Sequence, residues 1–285
     1  MKLSLLINRI KDSDFRSLID SRYGIGYMEK SFLKNWFNPF ATVWLNFRSF
    51  PFIQALHFPV WVYGRPRLYG LSGKMIISGP VRTGMIKFNI VKPGAPGNMA
   101  TQSELINIGT IKFSGSCEIG TGNKIVNGYK SILTIGKDSV IMDRCCVACH
   151  ESIVIGDNTT IAHNCQIMDT NYHFIADLNK RQISKRTGKV FIGSGCWICN
   201  STSIMMGAKV PDYAIVGSNS LVNRDFSQYT NGCIIAGSPA KLIKENYVRV
   251  FNTKIENQIW KYWRDNNSDY FPIKDLDIEV LTKYK

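Results

Sequence analysis

Branched aliphatic side chains return at every sixth position along much of this chain. The segments IGKDSV, IMDRCC and VACHES open at Ile135, Ile141 and Val147. After two extra residues, Ile153 and Val154, the count resumes as IGDNTT, IAHNCQ and IMDTNY from Ile155, Ile161 and Ile167. Beyond an interruption it returns as IGSGCW, ICNSTS, IMMGAK, VPDYAI, VGSNSL and VNRDFS, from Ile192, Ile198, Ile204, Val210, Val216 and Val222. A period of six matches neither an amphipathic helix nor a strand that alternates throughout. It predicts a short strand, a turn and another short strand, with one aliphatic per unit facing the same way and Gly, Asn, Asp and Ser making the turns. Repetition at a fixed short period marks a solenoid, and hexapeptides mark a parallel β-helix. A β-sandwich would instead place turn signals about every 8–12 residues.

The rhythm divides the chain into three regions that form one compact protomer. Residues 74–244 are the predicted solenoid, loosely periodic from Met75 and strict from Ile135. Residues 1–73 are helical or irregular, with LLINRIKDSDFRSLI as the best helix. In the tail, residues 245–285, Ile255, Ile259 and Trp263 recur at helical spacing and predict a helix that caps the open end of the stack.

Composition narrows the partners. A net charge of +14 with 45% hydrophobic residues describes a basic globular protein. The positive charge is spread, and no nucleic-acid-binding motif accompanies it, so nucleic acid is not an expected partner. The first 67 residues hold ten Lys or Arg against four Asp or Glu, with the aromatic run WFNPFATVWLNFRSFPFIQALHFPVWVYG. Arg48, His57 and prolines interrupt that run, which makes it a poor membrane span. It either packs on the first coils or between subunits, or lies in a membrane interface, peripheral at the inner face. MKLSLLINRIKDSDF has too short an apolar patch for a secretory signal, so the chain reads as cytoplasmic with reduced thiols. Of eight cysteines, Cys145, Cys146, Cys165 and Cys233 fall in the repeats, where a small apolar residue packs well. Cys146-Val-Ala-Cys149 and Cys196-Trp-Ile-Cys199 read as coil packing rather than metal knuckles.

The interruption carries the candidate chemistry. Between Tyr172 and Val190 the repeat gives way to HFIADLNKRQISKRTGK, with Lys180, Arg181, Lys185, Arg186 and Lys189. A solenoid loops residues out between coils without disturbing its core, often on the functional face. His173 stands where coil becomes loop, placed to titrate near neutral pH and exchange protons.

DTNYH at the loop, VFIGSGCWI after it and VGSNSLVNRDFSQYTNGCIIAGSPAKLIK towards the end together resemble the left-handed β-helix hexapeptide-repeat acyltransferases. Among these the sugar and polysaccharide O-acetyltransferases are the nearest in pattern, over about residues 100–245. The resemblance implies an enzyme that uses acetyl-CoA, with His173 as the base that takes a proton from an acceptor hydroxyl. A thiol is a far better leaving group than an alcohol, so no covalent enzyme intermediate is needed. Asp169 either orients His173 or is a turn residue. The backbone N–H of Asn200 would face the developing oxyanion. Trp197 would lie beside the pantetheine arm and Ser218 would bond it, while Asn223, Arg224, Lys241 and Lys244 would meet the phosphates. Cys199 stands where that family commonly has Gly. Asp143, His150 and Asn171 are candidates for the acceptor side. The cofactor groove lies between subunits of a homotrimer in such enzymes, and a flat prism face needs a second wall to bury so long a ligand.

Other readings remain open at the level of sequence. The same groove and histidine would serve N-acetylation of an amino-sugar nucleotide or acylation of serine, and a trimeric scaffold with a vestigial groove needs no chemistry. His150, His163 and His173, thirteen and ten residues apart, lack the close histidine pair of the zinc-dependent carbonic anhydrase branch of these helices, and no metal is expected.

Overall fold

The structure, a computed structural model, describes residues 36–91, 101–230, 232–273 and 278–282. The helix expected in LLINRIKDSDFRSLI lies outside the described residues. Short strands stack into three parallel sheets, the sides of a prism, and the chain visits each side in turn. The first sheet has nine strands and starts at Val60–Val62, the second has seven and starts at Arg67–Leu68, and the third has six and starts at Lys74–Ile77. The architecture is a parallel β-helix.

Register follows the six-residue period. Ile141, Ile161, Ile198 and Val216 pair in succession up the first sheet. Val147, Ile167, Ile204 and Val222 do so in the second. Ile155, Ile192 and Val210 continue the column in the third. All of these side chains are buried, stacked at the spacing of adjacent strands, about 4.8 Å. Each such side chain contributes about 1.5–3 kcal/mol by leaving water. Of the cysteines expected to pack in the repeats, Cys145, Cys165 and Cys233 are buried and Cys146 is half-buried; Cys196 is buried as well.

Between the first and second sheets the corner repeats one backbone solution. Arg144, Asn164, Ser201 and Asn219 all turn through φ near +60°. Most L-residues avoid that region, which Asn tolerates best, and an Ile or Val of the repeat never occupies it. The residue just before each of these is thereby held at the outer edge of the prism.

The coils begin earlier than residue 74, because Val60–Val62 and Arg67–Leu68 already pair into the sheets. The rhythm is hidden there by Pro66, Gly70 and Gly73 and by the long connection from Phe88 to Glu104. Helix α1, Pro39–Ser49, and the short α2, Phe52–Ala55, cover the open edges of this first coil. Asn38 caps α1 by accepting from the Ala41 N–H at 3.0 Å. Asn46 gives its amide to the Val60 carbonyl at 2.8 Å and accepts the Val60 N–H at 3.1 Å. Thr42 Oγ1 accepts the Val62 N–H, and Gln54 brackets Ile77 in the same two-way manner. Side-chain amides thus do for the first strands what a preceding coil would do.

The far end closes differently from the expectation. Cys233–Gly237 and Ala240–Glu245 form an antiparallel hairpin at the end of the first sheet. The tail then turns back along that sheet into α3, Thr253–Asp265, followed by α4, Ile278–Thr282. Helix α3 forms as its spacing predicted, but of Ile255, Ile259 and Trp263 only Ile255 is buried. The hairpin, not the helix, ends the stack. Among the described residues no helix is long and apolar enough to cross a membrane.

Candidate active site

The corner between the first and second sheets raises a column of polar residues at one repeat position: Asp143, His163, Asn200 and Ser218. Asp143 Oδ1 reaches back to the Thr121 N–H at 2.7 Å, and Asn200 Oδ1 accepts the His163 N–H at 3.3 Å. Ser218 is too short to repeat this bond, and among the described residues no partner takes the Asn200 N–H. His163 is 8% exposed, with Nδ1 3.5 Å from Asp143 Oδ2.

Beside this column a groove of about 870 Å³ runs over the outer face of the first sheet. Lys87, Thr160, Trp197, His163 and Asn200 line it, and the returning tail supplies Arg249 and Phe251 as a wall. The Arg249 guanidinium lies 4.7 Å from the Trp197 ring centre and 3.9 Å from that of Phe251. Burial pushes its pKa below the usual arginine value, and its buried Nη1 has no hydrogen-bond partner. An unpaired cationic donor between two aromatic rings is a seat for an anionic group.

The second set of expected residues lies at another corner. The chain leaves the second sheet at Met168 and rejoins the third at Val190. The segment between them is not an open loop but an arm built on an antiparallel hairpin, Ile175–Asp177 with Gln182–Ser184. His173 is exposed at the base of this arm, its N–H bonded to the Asn171 carbonyl at 2.7 Å. His150 stands edge-on to Tyr172 with ring centres 4.9 Å apart, and its buried Nε2 has no partner. Lys185 pairs with Glu151 at 2.7 Å, holding the Glu151 carboxyl below its usual pKa, and Arg186 donates to the Tyr172 carbonyl. The arm exposes Phe174, Ile175, Leu178 and Ile183 together with its basic groups.

Asp169 binds backbone at the turn that follows the second sheet. It is fully buried, and its two carboxylate oxygens accept the N–H groups of His150 and Glu151 at 2.7 and 2.8 Å. Among the described residues no hydrogen bond joins it to His173. Of the residues expected on the donor side, Trp197, Asn200 and Ser218 share the first sheet and its corner with the second. Lys241 and Lys244 continue that sheet on the terminal hairpin, while Asn223 and Arg224 sit at the far corner, in line with the arm. Of the acceptor-side candidates, Asp143 belongs to the polar column, and His150 and Asn171 belong to the arm. The groove and the arm thus lie at different corners of the prism, with the second sheet between them.

His163, Arg249 and Phe251 escaped the sequence reading. His163 was open to discovery, since IMD, IAH, ICN and VGS put Asp143, His163, Asn200 and Ser218 at the same place in their hexapeptides. No pattern marked Arg249, because the path of the tail is not periodic. All eight cysteines are free thiols. Burial pushes Cys149 and Cys196 up to about 12, and Cys199 and Cys233 up to about 11. Among the described residues no group of His, Cys, Asp and Glu is arranged to hold a metal ion.

No family model matches the chain. Over 79 residues, 28% of this chain and 36% of the relative, it is 38% identical to the chloramphenicol acetyltransferase of Morganella morganii. Over 145 residues, 51% of this chain, it is 27% identical to the polysialic acid O-acetyltransferase of Escherichia coli O1:K1 / APEC and spans 44% of it. WbbJ of Escherichia coli K12, provisionally named a lipopolysaccharide biosynthesis O-acetyl transferase, is 25% identical over 147 residues, 49% of this chain and 74% of WbbJ. The match thus spans about a third of the first relative and under half of the second. Among solved structures, the polySia-specific acetyltransferase NeuO aligns at a TM-score of 0.39 with 21% identity, covering 70% of this chain and 91% of that one. In sequence the chain is similar to hexapeptide-repeat acetyltransferases. The relatives named for a glycan acceptor, the polysialic acid enzyme and WbbJ, match over about half of it.

Proposed function

We propose that the protein is an acetyl-CoA-dependent O-acetyltransferase acting on a hydroxyl of a sugar or polysaccharide precursor, as a cytoplasmic homotrimer with sites shared between protomers. The observation that carries this reading is the separation of the two half-sites. Trp197, Asn200 and Arg249 flank a groove, His173 stands across the second sheet from it, and the arm beside His173 exposes apolar side chains that a neighbour would cover. Rotational closure of three prisms brings one protomer's arm to the next protomer's groove, and it needs no change in the fold.

The groove fits the donor by chemistry. Its aromatic wall suits the pantetheine arm, and the orphaned Nη1 of Arg249 suits a phosphate oxygen. When bound, the donor supplies an activated thioester carbonyl. His173 accepts the proton of the acceptor hydroxyl while that oxygen attacks the carbonyl. The Asn200 N–H, which no protein group among the described residues takes, would donate to the oxygen that gains charge. The thiolate departs without a cysteine ester, in keeping with thiols whose pKa values are raised. The names of two relatives, for O-acetyl transfer to polysialic acid and in lipopolysaccharide biosynthesis, support a glycan acceptor.

One observation favours a second base. His163 lies in the groove itself, with Asp143 beside Nδ1, an arrangement that would leave Nε2 as a proton acceptor within a single protomer. Transfer of labelled acetyl from acetyl-CoA across a panel of sugars, nucleotide sugars and lipid-linked glycans, run with His163→Asn and His173→Ala, tests both. Product ester with wild type and His163→Asn but not with His173→Ala supports His173. The reverse moves the base to His163, and no transfer to any hydroxyl or amine sinks the enzyme reading.

A further inference from the structure

Helix α1 is turned inside out. The side chains it buries against the first coil are Thr42, Leu45, Asn46 and Ser49, three of them polar, with Thr42 and Asn46 bonded to strand backbone. The side chains it presents outward are Phe40, Val43, Trp44 and Phe47, exposed by 83%, 47%, 59% and 40%. Helix α2 adds Phe52 and Ile53, and Phe47 contacts both Phe52 and Phe58. Capping the strand edges explains the polar face and leaves the aromatic one exposed among the described residues. An apolar patch of this kind on a protein surface marks a site of association.

Charge selects the occupant. Between Glu29 and Glu104 the chain has no Asp or Glu. Arg48, Arg65, Lys74 and Arg82 are exposed around the first coil, and no carboxylate among the described residues pairs with them. A second copy of this chain would bring the same unrelieved positive charge to the same contact. An anionic bilayer surface offers the opposite: headgroups for the basic rim and an interfacial layer in which Trp and Phe settle with their rings at headgroup depth.

We propose that the α1–α2 cap docks the protein on anionic lipid, with Phe40, Trp44, Phe47 and Phe52 entering the interface and Arg48 and Arg65 meeting headgroups. The docking would stand whether or not the groove transfers acetyl groups, and it joins a weak apolar anchor to an electrostatic one, the pairing that reversible membrane attachment requires.

Co-sedimentation of the full chain with phosphatidylcholine vesicles, with and without about 30% phosphatidylglycerol, tests it. Binding is expected to anionic vesicles at low salt, to fall at least about tenfold in 0.5 M salt, and to be weak on neutral ones. Trp44→Ser/Phe47→Ser and Arg48→Ser/Arg65→Ser should each weaken it about tenfold or more, while the thermal midpoint and turnover on a dissolved acceptor stay near wild type. These positions are exposed, so an unaltered fold is checked by that midpoint; if it drops, Phe40→Ser/Phe52→Ser replaces the aromatic pair. Equal binding to neutral and anionic vesicles, no binding to either, or a loss of oligomer mass in the aromatic variant without any vesicle binding would overturn the proposal. The last result would make the patch a contact between copies.

Discussion

The guanidinium of Arg249 lies over the ring of Trp197, 4.7 Å from its centre, although fifty-two positions separate the two in the chain. The contact exists because the tail folds back along the first sheet after the terminal hairpin, and it turns an open sheet face into a groove. With Nη1 buried and unpaired, Arg249 has a donor to give to an anionic ligand. Replacing Arg249 by Ala should raise KM for acetyl-CoA by about 10–100-fold, the worth of one hydrogen bond to a charged group, with a smaller change in kcat. Arg249→Lys, which keeps charge but not the planar fork, should recover only part of the loss. Unchanged KM for the donor in both variants would remove the tail from the site.

How far the sequence alone reaches can be judged from particular residues. Ile141, Ile161 and Ile198 announce the stacking and even its register, because a period shared by every coil needs no knowledge of distant partners. The excursion between the second and third sheets was legible for the same reason, as the place where the period fails. The start of the helix at Val60 was not, since the first coil is held by Asn46, Thr42 and Gln54 rather than by aliphatic rhythm. Nor were the partners of Asp169: a carboxylate four residues from a histidine has the spacing of a partner, yet both its oxygens accept backbone N–H groups. The path of the tail, and Arg249 with it, depends on tertiary packing that no local pattern encodes.

Asp169 should therefore behave as a structural residue. Asp169→Ala leaves the buried N–H groups of His150 and Glu151 without acceptors, at a cost of about 1–3 kcal/mol each. Thermal unfolding should show a clearly lower midpoint. Below that midpoint, the pH dependence of turnover should match wild type. A displaced pH profile in a variant of normal stability would restore Asp169 as the orienting partner of the base.

Cys149, Cys196, Cys199 and Cys233 should be inert in the folded state. With Cys199 and Cys233 raised to about 11, and Cys149 and Cys196 to about 12, the thiolate is scarce near neutral pH. Alkylation by iodoacetamide at pH 8 should be slower than in the unfolded chain by about 100-fold or more, since each pKa unit is a factor of ten. The linked effect on stability follows from the sign. A folded pKa above the unfolded one means the fold favours the protonated thiol, so this stability is complete below about pH 9 and is lost as pH rises through 11 and 12. The midpoint in a series of thermal scans should fall over that window. A thiol alkylated at the ordinary rate, with parallel loss of turnover, would point to a covalent route.

The sharpest test of the shared site uses two defects in different halves. His173→Ala removes the proposed base from the arm and should lower kcat by about 10²–10⁴ while leaving donor binding near wild type. Trp197→Ala removes the aromatic wall of the groove and should leave His173 untouched. If each active site joins the arm of one protomer to the groove of the next, a mixed trimer of two such variants contains some interfaces in which both halves are intact. Co-refolding the two inactive variants should then restore a measurable fraction of wild-type turnover, in a species that sediments with the mass of three chains. If both half-sites served a single chain, no protomer in the mixture would be whole and activity would stay at the level of the weaker variant. Absence of recovery in a verified mixed trimer, or full turnover from a monomer, would return the chemistry to the groove of one protomer and make His163, beside Asp143, the imidazole to pursue.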